Sequence, residues 1–283
     1  MSNTSYLSVY AKSFSWAGYF LPKDKFKECS ALYDFCRIAD NIADDNEEIE
    51  NKLNKFTQFE NDFNQKNFDN SIIKNMWGLI EKFNISLKVV QDLLLGIKSD
   101  IKDEVKLSSK KDLLIYSYRV AGTVGLMMAK ILKVSKKNSL KSAIDLGIAM
   151  QLTNISRDVI EDSKNNRFYI DKNFEKISST VDLADTFYKN SFYSIRDIPI
   201  SFRFSILVAR RIYRKIGYKI LNTKNLENYQ NSGKIYVSNL EKVFETFFSI
   251  FDLIKLSLKN EKYDLIQHDH NLINEEINLD ERI

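Results

Sequence analysis

Only two prolines and eight glycines occur in the 283 residues of this chain, and that scarcity constrains its fold more than any other feature. A protein of many strands must reverse direction often, and Gly and Pro supply most tight reversals. A chain poor in both is suited to long helices with short polar connections, so an all-α fold is expected. The breaks in helical periodicity are charged or rich in Asn and Ser: "DDNEE" near 45, "QKNFDN" near 66, "KDEVKLSSKKD" near 103 and "KVSKKNS" near 134. None is long enough for an independent linker. A single helical domain over residues 1–283 is expected, with one polar loop over about 161–182 and a polar end, "HDHNLINEEINLDERI", that frays.

The net charge of +4 is modest and its cations are spread along the chain, which speaks against nucleic acid as a partner. The start, "MSNTSYLSVYAKSF", lacks the charged region and apolar core of a secretory signal. No apolar run reaches the ~18 residues of a membrane span. A cytoplasmic location is therefore expected. Cys29 and Cys36, seven apart on one helix, read as packed thiols and not as a disulfide or metal site. The stretch "FRFSILVARRIYRKIGYKI" over 202–220 mixes apolar and basic residues at helical spacing. It reads as a core helix with a solvated basic side, or as a contact for an anionic ligand or the inner membrane face.

Two polar clusters stand out, "YDFCRIADNIAD" over 33–44 and "QLTNISRDVIED" over 151–162. Each carries two aspartates four apart, preceded by an arginine. On an α-helix Tyr33, Arg37, Asp40 and Asp44 fall within a stripe about 60° wide, with Leu32, Phe35, Ala39 and Ala43 opposite. Gln151, Asn154, Asp158 and Asp162 share a stripe about 80° wide beside apolar Ile148, Leu152, Ile155 and Val159. A lone D-x-x-x-D reads as a solvated face with a local Arg–Asp pair. Two such sets, built with Tyr, Gln and Asn and flanked by "DLGIAMQLTNI", point to a central helix whose carboxylates need a positive partner.

Aspartates on successive turns lie about 6 Å apart along the axis, within reach of a shared hard cation. Mg²⁺ takes one or two carboxylates and completes its octahedron with water and phosphate oxygens. Two facing aspartate helices with nearby arginines suit a diphosphate. Metal ions and arginine stabilise the charge of departing diphosphate, and an apolar cavity shields the allylic cation left behind.

These residues resemble a known family, the squalene and phytoene synthases, which join two prenyl diphosphates head to head. The resemblance is carried by "AKSFSWAGYFLP" (11–22), "LYDFCRIADNIADD" (32–45), "YSYRVAGTVGLMMAKIL" (116–132) and "DLGIAMQLTNISRDVIEDSKNNRFYI" (145–170), and covers at least the first 170 residues. Within the family the chain is most similar to bacterial phytoene synthases. The resemblance implies a helical bundle around a deep cavity, with Mg²⁺, or Mn²⁺ in its place, held by Asp40, Asp44, Asp158, Asp162 and Asn154. It implies diphosphate contacts from Arg37, Arg157, Gln151 and Ser13, and a place near the prenyl chain for Phe14. Tyr33, Tyr116, Tyr169 and Tyr213 match tyrosines of the reaction centre. Val120, Ala121, Gly122 and Gly125 match a segment that makes room for the chains. Lys234, in "SGKIYVSN", stands nearest to a late arginine of the family and lacks its bidentate fork.

The implied activity is condensation of two geranylgeranyl diphosphates to 15-cis-phytoene through a cyclopropyl diphosphate, the first step of carotenoid synthesis, without NADPH. Two farnesyl diphosphates giving squalene, presqualene diphosphate or dehydrosqualene form the alternative. A silent lipid-binding or assembly factor is a further alternative; it would be expected to lack the four aspartates, which are all present. Greasy substrates also imply peripheral association with the membrane.

Overall fold

Both prolines stand immediately before a helix: Pro22 and Pro199, with φ of −55° and −50°, precede Lys23 and Ile200. There the missing N–H costs no helical hydrogen bond. The computed structural model describes residues 12–258 and 266–283. The start of the chain through residue 11, read above for a secretory signal, lies outside the described residues.

The helices are α1 (Lys12–Gly18), α2 (Lys23–Asp44), α3 (Ile49–Asn64), α4 (Ser71–Phe83), α5 (Leu87–Lys98) and α6 (Lys110–Ser117). A π-helical turn, Tyr118–Gly122, leads into α7 (Thr123–Ile131) and then α8 (Lys137–Lys164). After α9 (Phe174–Ser191) and a 3₁₀ turn (Tyr193–Asp197) come α10 (Ile200–Leu221), α11 (Leu226–Asn231), α12 (Asn239–Leu258) and α13 (Gln267–Asn274). The chain's abundant asparagines serve as caps: Asn70, Asn173 and Asn225 accept from the backbone N–H of Ile72, Lys176 and Asn228. Among the described residues, the strands are β1 (Val105–Lys106) and β2 (Arg167–Phe168), paired in parallel. The all-α expectation holds.

Helix α8 runs through the middle of the bundle. Ile144, Ile148, Leu152, Ile155 and Val159 form its buried stripe, and α7 and α9 pack along it. The α7 crossing depends on glycine. A Cβ at Gly147 would lie 2.2 Å from the Ala121 carbonyl oxygen, and one at Gly125 2.2 Å from that of Ala143. Backbone meets backbone there, and the Val120–Ala121 turn is pressed onto α8. Cys29 and Cys36 are free, buried thiols; burial pushes Cys29 up to about 12.

Three expectations need correction. The loop foreseen over 161–182 is only its middle part, because α8 continues to Lys164 and α9 starts at Phe174, capped by Asn173. The end of the chain is docked: His270 meets Asp145 at 2.7 Å and Arg282 donates to Asp92 at 2.8 Å. Ile273, Ile277 and Leu279 are buried beneath it. The basic side of the 202–220 helix, now α10, is turned inward. Arg210 is buried, Arg214 pairs with Asp185 on α9, and Arg211 and Lys219 pair with acids of α12. Arg211, Arg214 and Lys219 are thus paired with acids of the protein instead of standing free in solvent. Among the described residues no helix is long and apolar enough to cross a membrane.

Candidate active site

Helices α2 and α8 form two walls of a cavity of about 660 Å³. Ser139, Ser142, Ala143, Leu146, Gly147, Met150, Gln151, Asn154 and Arg157 line it from α8. Their spacing of three and one is a single helical stripe, and the 18 steps from Ser139 to Arg157 at 1.5 Å each make the channel about 27 Å long. Its charged and amide side chains gather at one end, and serines, among them Ser139, Ser142, Ser191 and Ser194, line the other. At the charged end Arg37 and Asp40 of α2 face Gln151, Asn154 and Arg157 of α8, with Lys234 beside them.

Most of the residues singled out in the sequence meet on this cavity: Ser13, Phe14, Tyr33, Arg37, Asp40, Val120, Ala121, Gly125, Gln151, Asn154, Arg157, Tyr213 and Lys234 all line it. Phe14 and Tyr213 pack ring to ring at 4.9 Å. Asp44 lies one turn beyond Asp40 and Asp158 one residue beyond Arg157, with Asp162 a further turn along the helix. Tyr116 and Tyr169 do not line the cavity; they stack on each other at 4.7 Å, and Tyr116 donates to Asp100 at 2.7 Å. Gly122 is packed against Ile144 and Ile148 of α8.

The electrostatics of the polar end are set by burial. Asp40 is pushed up to about 7 by loss of solvent and by the neighbouring charge of Asp44, against the pull of Arg37. Asp162 rises to about 7 for the same reasons, with Asp158 as the repelling neighbour. Asp158 accepts from Arg157 Nε at 2.9 Å and has Lys234 Nζ 3.7 Å away.

Two residues escaped the sequence reading. Arg167, on β2, donates to Asp44 at 2.8 Å, and its charge also favours the ionised forms of Asp40, Asp100 and Asp162. One guanidinium therefore sits among acids from both aspartate helices. Asp100, in the turn after α5, is pushed by burial to about 6 despite the hydrogen bond from Tyr116. Neither lies on a periodic stripe. The pairing of β1 with β2 brings them in, and the only sequence sign was the nearness of Arg167 to Tyr169.

Among the described residues no three His, Cys, Asp or Glu side chains converge closely enough to hold a metal alone. The donors nevertheless fit Mg²⁺ arriving with a diphosphate, because they are hard oxygens and two of the carboxyl groups are about half-ionised near neutrality, where a cation can displace the remaining proton. Asn154 Oδ1 is buried with no hydrogen-bond partner, as an oxygen waiting for a cation would be.

Protons and a divalent cation compete for such oxygens. The folded values for Asp40 and Asp162, about 7, lie above the ordinary 3.8. Between those limits the folded state binds more protons than the unfolded one, so cation-free protein loses stability as pH rises through that window. Melting curves should show Tm falling from about pH 5 to about pH 8, and a Mg²⁺-induced rise at pH 8 that shrinks at pH 5. An equal rise at both pH values would exclude these carboxylates as the binding groups.

The family model for squalene/phytoene synthase matches residues 7–173 of this sequence. The chain belongs to the squalene/phytoene synthase family. A 15-cis-phytoene synthase of Enterobacter agglomerans is 34% identical over 151 residues, 46% of this chain and 51% of that one. A 15-cis-phytoene synthase of Pantoea ananas is 27% identical over 247 residues, 76% of this chain and 80% of that one. The match thus spans about half the length of the first relative and most of the second. The crystal structure of a dehydrosqualene synthase in complex with ligand superposes with a TM-score of 0.73 at 26% identity, over 88% of this chain and 94% of that one. The family and the isoprenoid-synthase type of bundle expected from the sequence are both as foreseen.

Proposed function

We propose that this protein condenses two geranylgeranyl diphosphates head to head into 15-cis-phytoene, through a cyclopropyl diphosphate, at the polar end of its channel. One observation carries the reading: acids from two distant helices lie around a common arginine beside the charged end of a largely apolar channel about 27 Å long. The phytoene synthases among its relatives support the same reaction class.

Asp40, Asp44, Asp158, Asp162 and Asn154 would hold Mg²⁺, which supplies charge stabilisation for the leaving diphosphate. Arg37, Arg157 and Lys234 would contact the same anion. Arg157 is already oriented by Asp158, so it meets a second anion with little loss of rotamer freedom. Phe14, Val120, Ala121, Val124 and Met150 give the channel an apolar wall that suits the prenyl tails and would keep water from the allylic cation. In the first half of the reaction one diphosphate leaves, the other substrate's double bond attacks C1 of the cation, and loss of a proton closes the cyclopropane. In the second half the remaining diphosphate leaves, the skeleton rearranges, and a further proton is lost to give the triene. Tyr33 and Tyr213 line the wall here, both pushed up to about 12 chiefly by burial, so they remain protonated phenols that orient anions by donating hydrogen bonds. No hydride is consumed, so NADPH has no part in this reaction.

The dehydrosqualene synthase among the structural relatives makes the shorter substrate the competing reading. Purified protein with Mg²⁺, given C15 and C20 diphosphates separately, is expected to yield a C40 lipid from the latter at least tenfold faster. Exclusive formation of a C30 product would overturn the C20 assignment, and no lipid from either would overturn the condensation itself.

A further inference from the structure

Helix α12 is built inside out. The side chains it buries include Lys242, Glu245 and Ser249, whereas Leu240, Val243, Phe244, Phe247, Phe248, Ile250, Phe251 and Ile254 are exposed. Every exposed residue of the helix from Leu240 to Ile254 is apolar. The cause lies in α10, whose inward basic row draws the acids of α12 toward it. Arg211 binds Glu245 at 2.8 Å and Asp252 at 3.0 Å, and Lys219 binds Glu241 at 2.9 Å. Polar pairing on the inside leaves an apolar stripe in water, and contiguous stripes of this size mark a contact surface.

The occupant can be argued from chemistry. Between Leu240 and Ile254 the exposed side chains offer no hydrogen-bond donor or acceptor, whereas protein interfaces carry roughly one hydrogen bond per 100–200 Å². A hydrocarbon surface asks for none. The ledge formed by α12 and its α10 partners holds Arg211, Lys215, Lys219 and Lys255 against Glu241, Glu245 and Asp252, four cations to three carboxylates. Lys255 carries the one charge on an exposed residue of α12. Aromatic and aliphatic residues on one face with a cationic excess beside it suit a helix lying in the plane of an anionic lipid surface. Trp16 of α1 donates to Thr246 of α12 at 3.0 Å, and the neighbouring Phe14 and Ala17 of α1 wall the cavity.

We propose that the outward face of α12 docks on an anionic lipid bilayer and holds the channel beside the membrane. The docking is independent of the reaction assigned above, and its test contains no prenyl substrate. The full chain is mixed with vesicles of equal parts phosphatidylcholine and phosphatidylglycerol and floated on a density gradient. Wild-type protein should rise with these vesicles and at least tenfold less with pure phosphatidylcholine. Phe247→Ser/Phe251→Ser should stay in the lower fraction with an unchanged circular-dichroism spectrum. Should that variant misfold, Lys255→Glu, on the exposed rim, should still weaken flotation several-fold. Wild-type protein left in solution, or flotation unchanged in these variants, would overturn the proposal. Light scattering that shows a lipid-free dimer dissolved by the double substitution would overturn it in favour of a second copy of this chain.

Discussion

Asp40→Asn and Asp162→Asn should each cut prenyl transfer by about 10³-fold, the scale on which charge stabilisation of a leaving group acts. The same variants should melt higher than wild type in cation-free buffer at pH 8, by roughly 5 °C. The two effects share a cause. Each carboxylate is held near 7 by burial and by a like-charged neighbour, so its ionised form burdens the fold at alkaline pH. An amide keeps the shape and removes the charge. Lower activity with a lower Tm would instead mean that the acids hold the helices together. Unchanged turnover would remove them from the site altogether.

Gly147→Ala should destabilise the protein by about 3 kcal/mol and lower Tm by about 5 °C, because one methyl group has nowhere to go. Its carbon would stand 2.2 Å from the Ala121 oxygen and 2.9 Å from the Gly122 Cα. All the atoms it meets belong to backbone, which cannot swing aside as a side chain would. Gly78, on α4, supplies the control: a Cβ there meets nothing within 4 Å. Gly78→Ala should stabilise by about 0.5–1 kcal/mol through helix propensity and a less flexible unfolded chain. Equal and small effects at the two positions would show that α7 and α8 cross less tightly than their glycines imply.

Periodicity made the aspartate helices legible, since a stripe of Tyr, Arg, Asp and Asn opposite a stripe of Leu, Phe and Ala can be seen without coordinates. It could not say what each stripe faces. The basic stripe of α10 reads the same whether it meets water, lipid or the acids of α9 and α12, and partners distant in sequence decided the matter. Asp100 and Arg167 were hidden for a related reason. Each sits near the end of an element, where no repeat flags its direction, and a two-residue strand pair sets their position. The tail over 266–283 looked solvated because it is rich in Asn, Asp and Glu. Its acids meet specific cations instead: Asp269 meets Lys110, Glu275 meets Lys111 and Glu276 meets Arg119.

That tail also bears on how the molecule comes into being. Asp92 accepts from Tyr118 of the π-helical turn and from Arg282, a contact that spans 190 residues of chain. At roughly 5–20 residues per second, a ribosome needs about 10 to 40 s to travel that distance. Throughout that interval Asp92 waits for its guanidinium, and the apolar surface that Ile273, Ile277 and Leu279 later cover stays open to water.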